Sequence, residues 1–120
     1  MEFNKMEQME ALGILADFND RLLKNLPTII SELSGKRQPD TDTYLKNIVD
    51  SINWVITVTG NSLDILNEGY TRINKDTFNQ KVMALSQALS DKKDSAIAAA
   101  LQELIPCFEQ LGNAVREVIL

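Results

Sequence analysis

The stretch that decides the fold is IAAALQELIPCFEQLGNAVREV, residues 97–118. Apolar side chains recur along it at alternating steps of four and three residues, which places them on one side of an α-helix. They are Ile97, Leu101, Leu104, Phe108, Leu111, Val115 and Val118. The pattern predicts a long helix over residues 94–119, with one apolar face packed against neighbouring helices.

Three earlier segments show the same spacing of apolar residues, and each predicts a helix. They cover residues 3–34, 41–69 and 75–90. Gly35 is placed to end the first of these helices, because glycine accepts the left-handed conformation that follows many helices. Asn74 is placed to cap the third, with Ile73 and Phe78 spaced to pack across that cap. Together the patterns predict an all-α protein.

The middle of the second segment, INWVITV at residues 52–58, allows a second interpretation. Its β-branched residues would suit a strand. We favour a helix, because the helical spacing continues on both sides and the sequence offers no other strand for pairing. Gly60, Asn61 and Ser62 leave open a break in the helix shortly after this stretch.

Short loops between helices favour antiparallel neighbours, so we expect a single helical-bundle domain over residues 1–120. The expected architecture is a four-helix antiparallel (up-down-up-down) bundle with a short third helix. Pro27 and Pro106 fall inside the first and last helices, and each should kink its helix, because proline removes a backbone hydrogen bond. At Pro27 a break is the alternative, since Asn25 could cap a restarted helix.

The composition limits the classes of partner. The 17 acidic and 12 basic residues give a net charge of -5, which opposes binding to the phosphate backbone of nucleic acids. The basic pairs Lys36-Arg37 and Lys92-Lys93 fall in predicted turns and are interpreted as solvated loop charges. A single cysteine and an N-terminus without signal-peptide features indicate a cytoplasmic protein. No apolar run approaches the ~20 residues that cross a bilayer, so we expect neither a membrane nor a nucleic acid as partner.

The sequence contains no histidine, which excludes the nucleophile pairs and metal ligands that histidine supplies. Cys107 is interpreted as an inert thiol, because its acidic and apolar neighbours would raise its pKa. A functional acid pair among Asp17, Asp50 and Asp64 is an alternative, but charged residues of this kind usually form a solvated face. We therefore predict no catalytic residue, no cofactor, no metal and no enzyme activity.

Trp54 points about 100° away from the main apolar face of the second helix, toward a separate apolar face. The chain also ends in VREVIL, which leaves apolar side chains without a polar tail. The candidate face for a partner protein or a second copy of the chain comprises Trp54, Val58, Ile65, Val118, Ile119 and Leu120. The alternative is that the second helix lies centrally and uses its wide apolar sector to contact two neighbouring helices.

Two stretches, Ser51–Ile56 (SINWVI) and Ala99–Pro106 (AALQELIP), resemble a family of small uncharacterised helical proteins of Gram-positive bacteria. That family carries an apolar-Gln-Trp-Leu helix and, later, a Leu-Leu-Glu-Tyr-Glu-Leu-x-Pro helix. Trp54 and the Glu-Leu-x-Pro run match, whereas Asn53 and Gln102 replace the family's glutamine and tyrosine. The resemblance implies a helical bundle without an established activity, and it supplies no catalytic residues.

We therefore expect a non-enzymatic helical protein-protein interaction module, either an adaptor or a small chaperone-like protein. A secretion or flagellar chaperone is one concrete form of it. The expected partners are an unidentified protein and a second copy of the chain, which would form a homo-oligomer. A small-molecule-binding helical bundle and a structural subunit of a larger assembly remain the alternatives.

Overall fold

The computed structural model describes residues 4–119, in which every regular element is a helix. The elements are α1 (Lys5–Leu33), α2 (Thr41–Asn61), α3 (Leu63–Leu66), α4 (Lys75–Asp91) and α5 (Asp94–Ile119). The all-α prediction is confirmed. Because residues 52–58 lie inside α2, the strand interpretation of this stretch is excluded.

The second predicted helix, residues 41–69, extends beyond the helix that the structure shows. α2 ends at Asn61, so the break that the sequence left open at Gly60, Asn61 and Ser62 is present. Only the single turn of α3 follows before an irregular loop over residues 67–74. The loop is held by Asn67, whose Oδ1 accepts hydrogen bonds from the backbone N–H groups of Arg72 and Ile73, both at 2.9 Å. Asparagine side chains that bond the backbone in this way favour turns over helices. The described part of the chain therefore has five helices rather than the four predicted.

Capping residues account for the starts of α1 and α4 and for the end of α1. Asn74 caps α4, because its Oδ1 accepts a hydrogen bond of 3.0 Å from the backbone N–H of Thr77, as predicted. Asn4 caps α1 in the same way through the backbone N–H of Glu7, at 2.8 Å. Each such cap stabilises a helix by about 1 kcal/mol. Gly35, with φ +116°, follows the end of α1 in the left-handed region, also as predicted.

Both interior prolines lie within continuous helices. Pro27 is in α1 and Pro106 is in α5, and both are exposed. A helix broken at Pro27 is therefore excluded. An exposed position tolerates the missing hydrogen bond, because the carbonyl that loses its partner can reach water on that side.

The helices contact one another in a fixed order. α1 packs against both α2 and α5, and α4 packs against α5. α1 and α5 run antiparallel: Asp20 of α1 pairs with Arg116 near the end of α5, whereas Arg37, just after α1, pairs with Asp94 at the start of α5. Within residues 4–119, α2 and α4 form no extended contact with each other. One side of the helix assembly is thus open, and we call it the α2–α4 edge.

The hydrophobic core lies along the faces that these helices share. Side chains with no exposed surface are Leu12, Leu15, Leu26, Ile29, Val55, Leu66, Leu101, Leu104, Phe108, Leu111 and Val115. Burial of one such side chain stabilises the fold by roughly 1.5–3 kcal/mol. The apolar face predicted for residues 97–118 belongs to this core, and only its last member, Val118, is partly exposed.

A buried polar contact joins α1 to α5, and we call this region the α1–α5 seam. Asn19 has no exposed surface, and its Nδ2 donates a hydrogen bond of 2.9 Å to the backbone carbonyl of Phe108. Gly112 lies beside it, and a Cβ added there would be only 3.2 Å from Nδ2 of Asn19. The glycine therefore allows α5 to approach the asparagine closely.

Arg37 is not the free loop charge expected from the sequence. Its guanidinium donates hydrogen bonds to Asp94, at 2.6 and 2.9 Å, and to Asp42, at 2.9 Å. These bonds link the loop between α1 and α2 to the start of α5. They also hold the pKa of the Asp94 carboxyl below its ordinary value, because the charged carboxylate is the form that accepts them.

Candidate interaction surfaces

Trp54 lies between α1 and α2 at the outer surface, where it is 38% exposed. Its ring packs against Phe18 of α1, with ring centroids 4.5 Å apart and planes tilted by 44°. Such aromatic pairs contribute about 0.5–1.5 kcal/mol beyond the burial of their area. Ile14 precedes Phe18 by one helical turn on the same face and is 59% exposed. We call Ile14, Phe18 and Trp54 the Trp54 patch.

Two side chains of opposite charge flank the Trp54 patch. The guanidinium carbon of Arg21, in α1, is 5.7 Å from the ring centroid of Phe18. Asp50, in α2, is exposed and lies one turn before Trp54. Within the described residues, neither Arg21 nor Asp50 takes part in an ion pair. The patch therefore presents apolar area with a cation from one helix and an anion from the other at its border.

The structure does not bring the five described residues of the predicted candidate face onto one exposed surface. Val58 and Ile65 are 8% and 5% exposed and belong to the core. Val118 and Ile119 are partly buried near the end of α5, and Leu120 lies outside the described residues. The wide apolar sector of α2 is thus largely internal, because α2 packs against α1. Its tryptophan lies at the border of that contact and keeps an exposed side.

A second surface feature lies at the α2–α4 edge. A half-open cavity of about 180 Å³ separates the end of α2 from the start of α4. Its walls include Ile56, Thr59, Leu63, Ile73, Lys75 and Phe78. We call it the α2–α4 pocket. It is present because α2 and α4 do not close against each other.

The polar groups of the α2–α4 pocket lie at its wall and its rim. Thr59 is 5% exposed, and its hydroxyl has no hydrogen-bond partner among the described residues. Lys75, the first residue of α4, is exposed and forms no ion pair with any residue from 4 to 119. Asn79 lies one turn further along α4 and also lines the cavity. The pocket thus combines apolar walls with a cationic rim.

Sequence reasoning missed this pocket, although part of its signal was present. Val49, Ile56 and Leu63 recur at seven-residue steps beside the main apolar face of α2, which indicates extra apolar surface. Val82 and Leu89 form a similar row on α4, and all five side chains are only partly buried. The spacing could not show that Ile56 and Leu63 of the first row border a gap whose other wall includes Phe78 of α4.

Cys107 and Asp64, two reactive side chains considered in the sequence, each have a defined local environment. Cys107 is partly buried, and burial raises the pKa of its thiol, while the charge of Lys81 opposes that rise. Asp64 accepts a hydrogen bond of 2.8 Å from Nε2 of Gln8, a contact that the sequence did not predict. No group of three side chains in the described ranges could hold a metal ion. In the same residues, no helix is both long and apolar enough to cross a bilayer.

Comparison with known proteins identifies the family of the chain. A family model described as "Domain of unknown function (DUF8042)" matches residues 3–114, which is most of the chain. No curated protein and no solved structure gives a significant match. The resemblance to an uncharacterised family is therefore confirmed. From its sequence and its match over residues 3–114, the chain belongs to the DUF8042 family, a domain of unknown function.

Proposed function

We propose that this protein is a non-enzymatic helical protein-protein interaction module, an adaptor or small chaperone-like protein, that works as a homodimer joined through the Trp54 patch. One observation carries the proposal: Ile14 and Trp54 are 59% and 38% exposed, and Trp54 packs against the partly buried Phe18, which follows Ile14 by one turn of α1. Tryptophan is among the residues that most often dominate the binding energy of protein interfaces. The patch is small, so it would form the centre of a larger contact.

The charges around the patch favour a second copy of the chain as its occupant. The net charge of -5 makes two copies repel each other over most of their surface. At the patch, however, Arg21 and Asp50 lie on different helices at its border. In a two-fold symmetric dimer every contact occurs twice with the roles exchanged, so Arg21 of each subunit can face Asp50 of the partner subunit. The patch is therefore self-complementary in both charge and apolar area.

The proposal includes an architecture and a compartment. The four long helices would form an antiparallel, up-down-up-down bundle, kinked at Pro27 and Pro106. The antiparallel pairing of α1 with α5 and the short loops 34–40 and 92–93 support this arrangement. We also propose a bacterial, cytoplasmic protein, which the single cysteine supports, because cytoplasmic proteins rarely rely on disulfides.

The oligomeric state of the protein and of a Trp54→Asp variant tests the proposal. Size-exclusion chromatography with light scattering should give a dimer for the protein itself. Loss of an interface-centre residue costs about 2 kcal/mol or more, so Trp54→Asp should weaken dimerisation at least about thirtyfold. Met83→Asp is the matched control, because Met83 is 71% exposed on α4, away from the patch. This control should remain dimeric.

Far-UV circular dichroism of the same samples separates an interface role from a folding role. Trp54→Asp should keep the helical signal, since Trp54 lies outside the buried core. A protein that is monomeric at all concentrations would contradict the proposed homodimer. Equal loss of helix and of association in Trp54→Asp would make Trp54 a folding residue instead.

Exchange of the two border charges tests the symmetry. Arg21→Asp and Asp50→Arg should each weaken the dimer by up to about thirtyfold, because the two-fold axis repeats the exposed ion pair and each copy contributes up to about 1 kcal/mol. The double variant restores an opposite-charge pair and should recover the original dissociation constant. Additive weakening in the double variant would show that these two residues do not face each other across the interface.

A further inference from the structure

We propose that the α2–α4 pocket binds a small monocarboxylic acid, with its apolar part in the cavity and its carboxylate at Lys75. This inference goes beyond the proposed interaction function and does not depend on it. Ile56, in the pocket wall, and Trp54, in the Trp54 patch, are two residues apart on α2 and therefore point about 200° apart around the helix. The two surfaces can be occupied separately.

The size and lining of the pocket define the apolar part of the ligand. A dry, apolar cavity of about 150 Å³ is known to accept one benzene ring. The α2–α4 pocket, at about 180 Å³, therefore accommodates one aromatic ring or a short aliphatic chain. Its apolar walls are built by Ile56, Leu63, Ile73 and Phe78. A larger ligand, such as a nucleotide or a second aromatic system, would extend into solvent.

The rim of the pocket defines the polar part of the ligand. Lys75 is a cation without an ion-pair partner among the described residues, and it lies at the N-terminal end of α4. The first turn of a helix favours anions, because its backbone N–H groups point outward there. Asp76 is the acidic residue of this turn, and as the next residue it points about 100° away from Lys75. The rim therefore selects a carboxylate over an amine.

A third observation places an unsatisfied polar group at the wall of the same pocket. Thr59 lines the cavity, is 5% exposed, and has a hydroxyl without a hydrogen-bond partner in the described part of the chain. A buried hydroxyl without a partner is costly, so polar groups of this kind are normally satisfied. A ligand oxygen that reaches this part of the wall would supply that partner, whereas a purely apolar ligand would not.

The test is a titration of the ¹⁵N-labelled full-length protein, followed by two-dimensional NMR. The probes are phenylacetate and hexanoate, with the neutral alcohols phenylethanol and hexanol, and with acetate as a carboxylate without an apolar part. The two larger acids should cause saturable shifts at the amides of Ile56, Leu63 and Phe78. The alcohols should bind about three- to fivefold more weakly, because they lose the exposed ion pair with Lys75. Acetate should cause no saturable shift at these residues.

Two pairs of variants assign the binding to the pocket. Gly60 lines the cavity, and a Cβ added there would meet no atom within 4 Å, so Gly60→Leu can fill the pocket from the α2 side. Gly13 has equally open surroundings in α1, which makes Gly13→Leu the matched control. Gly60→Leu should abolish the shifts, and Gly13→Leu should keep them. Lys75→Met should reduce the affinity for both acids to that for the alcohols, and Lys75→Arg should preserve it.

Several results would overturn the inference. The first is the absence of saturable shifts up to about 10 mM acid, which corresponds to a binding free energy weaker than a few kcal/mol. The second is equal affinity for acids and alcohols. The third is unchanged binding of the acids in Gly60→Leu. Each of these results would leave the homodimer through the Trp54 patch untouched. Loss of dimerisation in Trp54→Asp would, in turn, leave the pocket and its ligand unaffected.

Discussion

The α1–α5 seam and the α2–α4 edge consist of the same kind of amphipathic helix, yet only the seam is closed. At the seam, Leu15, Leu104 and Phe108 have no exposed surface. At the edge, Ile56 and Leu63 remain partly exposed beside a cavity of about 180 Å³. Both regions show apolar residues at helical spacing. Spacing alone therefore does not explain why one pair of helices closes and the other does not.

Length and polar anchors explain the difference. α1 and α5 have 29 and 26 residues, whereas α4 has 17. α4 is also held to α5, because Arg72, in the loop 67–74, pairs with Glu117 at 3.3 Å. Further along, Lys81 of α4 pairs with Glu103 of α5 at 2.9 Å. An ion pair at the protein surface contributes about 1 kcal/mol or less, but together these two pairs orient α4 toward α5 and away from α2.

The largest difference in stability between the two regions should come from truncating one side chain in each to alanine. Phe108→Ala at the seam should destabilise the protein by about 3–5 kcal/mol, because it leaves a cavity in a closed core. Ile56→Ala at the edge should cost no more than about 2 kcal/mol, since Ile56 already borders open space. Urea unfolding followed by circular dichroism measures both. Similar losses in the two variants would show that the edge is closed in solution.

A smaller contrast should come from the two asparagines that lie one in each region. Asn19→Ala at the seam removes the hydrogen bond to the Phe108 carbonyl and should destabilise the fold by about 1–2 kcal/mol. Asn79→Ala at the edge should stay within about 0.5 kcal/mol, because Asn79 is exposed. The same urea titration compares them. A gain in stability in Asn19→Ala would mean that the free-energy cost of burying this amide exceeds the stabilisation from its hydrogen bond.

Substituting alanine for two helical glycines should change the stability of the protein in opposite directions. Gly60→Ala at the edge should stabilise the protein by up to about 1 kcal/mol, because alanine favours helix and its Cβ meets no atom within 4 Å. Gly112→Ala at the seam should destabilise it by about 1 kcal/mol, because its Cβ would lie 3.2 Å from Nδ2 of Asn19 and 3.3 Å from Nη1 of Arg116.

Combining the seam variants checks the cause of that loss. In an Asn19→Ala background the nearest atom is gone, so Gly112→Ala should become neutral or stabilising. Thermal unfolding of the single and double variants measures this coupling. Simple additivity would place the strain elsewhere than between Asn19 and Gly112.

The smallest effect should come from the ion pair that anchors the start of α5. Arg37 lowers the pKa of Asp94 below the ordinary 3.8, so this stabilisation is present above pH 3.8 and is lost as pH falls through the lowered value. Asp94→Asn should be slightly less stable than the protein at neutral pH, with the gap closing in acid. Unfolding curves over a pH series measure the gap, and high salt should narrow it. A gap that grows in acid would contradict the assigned sign.

Most of the helices could be predicted because their signals are local. The apolar spacing over residues 97–118, the Asn74 cap and the position of Gly35 all concern neighbours within a few residues. The end of α2 lies at the break that Gly60, Asn61 and Ser62 left open. The loop after α3 was missed, because Asn67 bonds residues five and six positions later rather than continuing the helix. The bond between Gln8 and Asp64 was missed for a similar reason, since it joins distant parts of the chain.

The candidate surfaces could also be predicted only where their signal is local. Trp54 could be singled out from its position outside the main apolar face of α2, but the exposed Ile14 could not. Val58 and Ile65 share the helical pattern that suggested an exposed face, and the packing of α2 places them in the core instead. A helical position gives a direction around one axis, and exposure depends on what a second helix covers.

By itself the sequence determined an all-helical chain, the approximate position of each long helix and the lack of histidine-based chemistry, because these depend on composition and on contacts within a few turns. Only the tertiary structure decided that α1 contacts both α2 and α5, that α4 turns to α5, and that the α2–α4 edge stays open. Those outcomes rest on helix lengths and on bonds between distant residues, such as the one from Arg72 to Glu117. The spacing of apolar residues along one helix does not predict helix lengths relative to one another or bonds between distant residues.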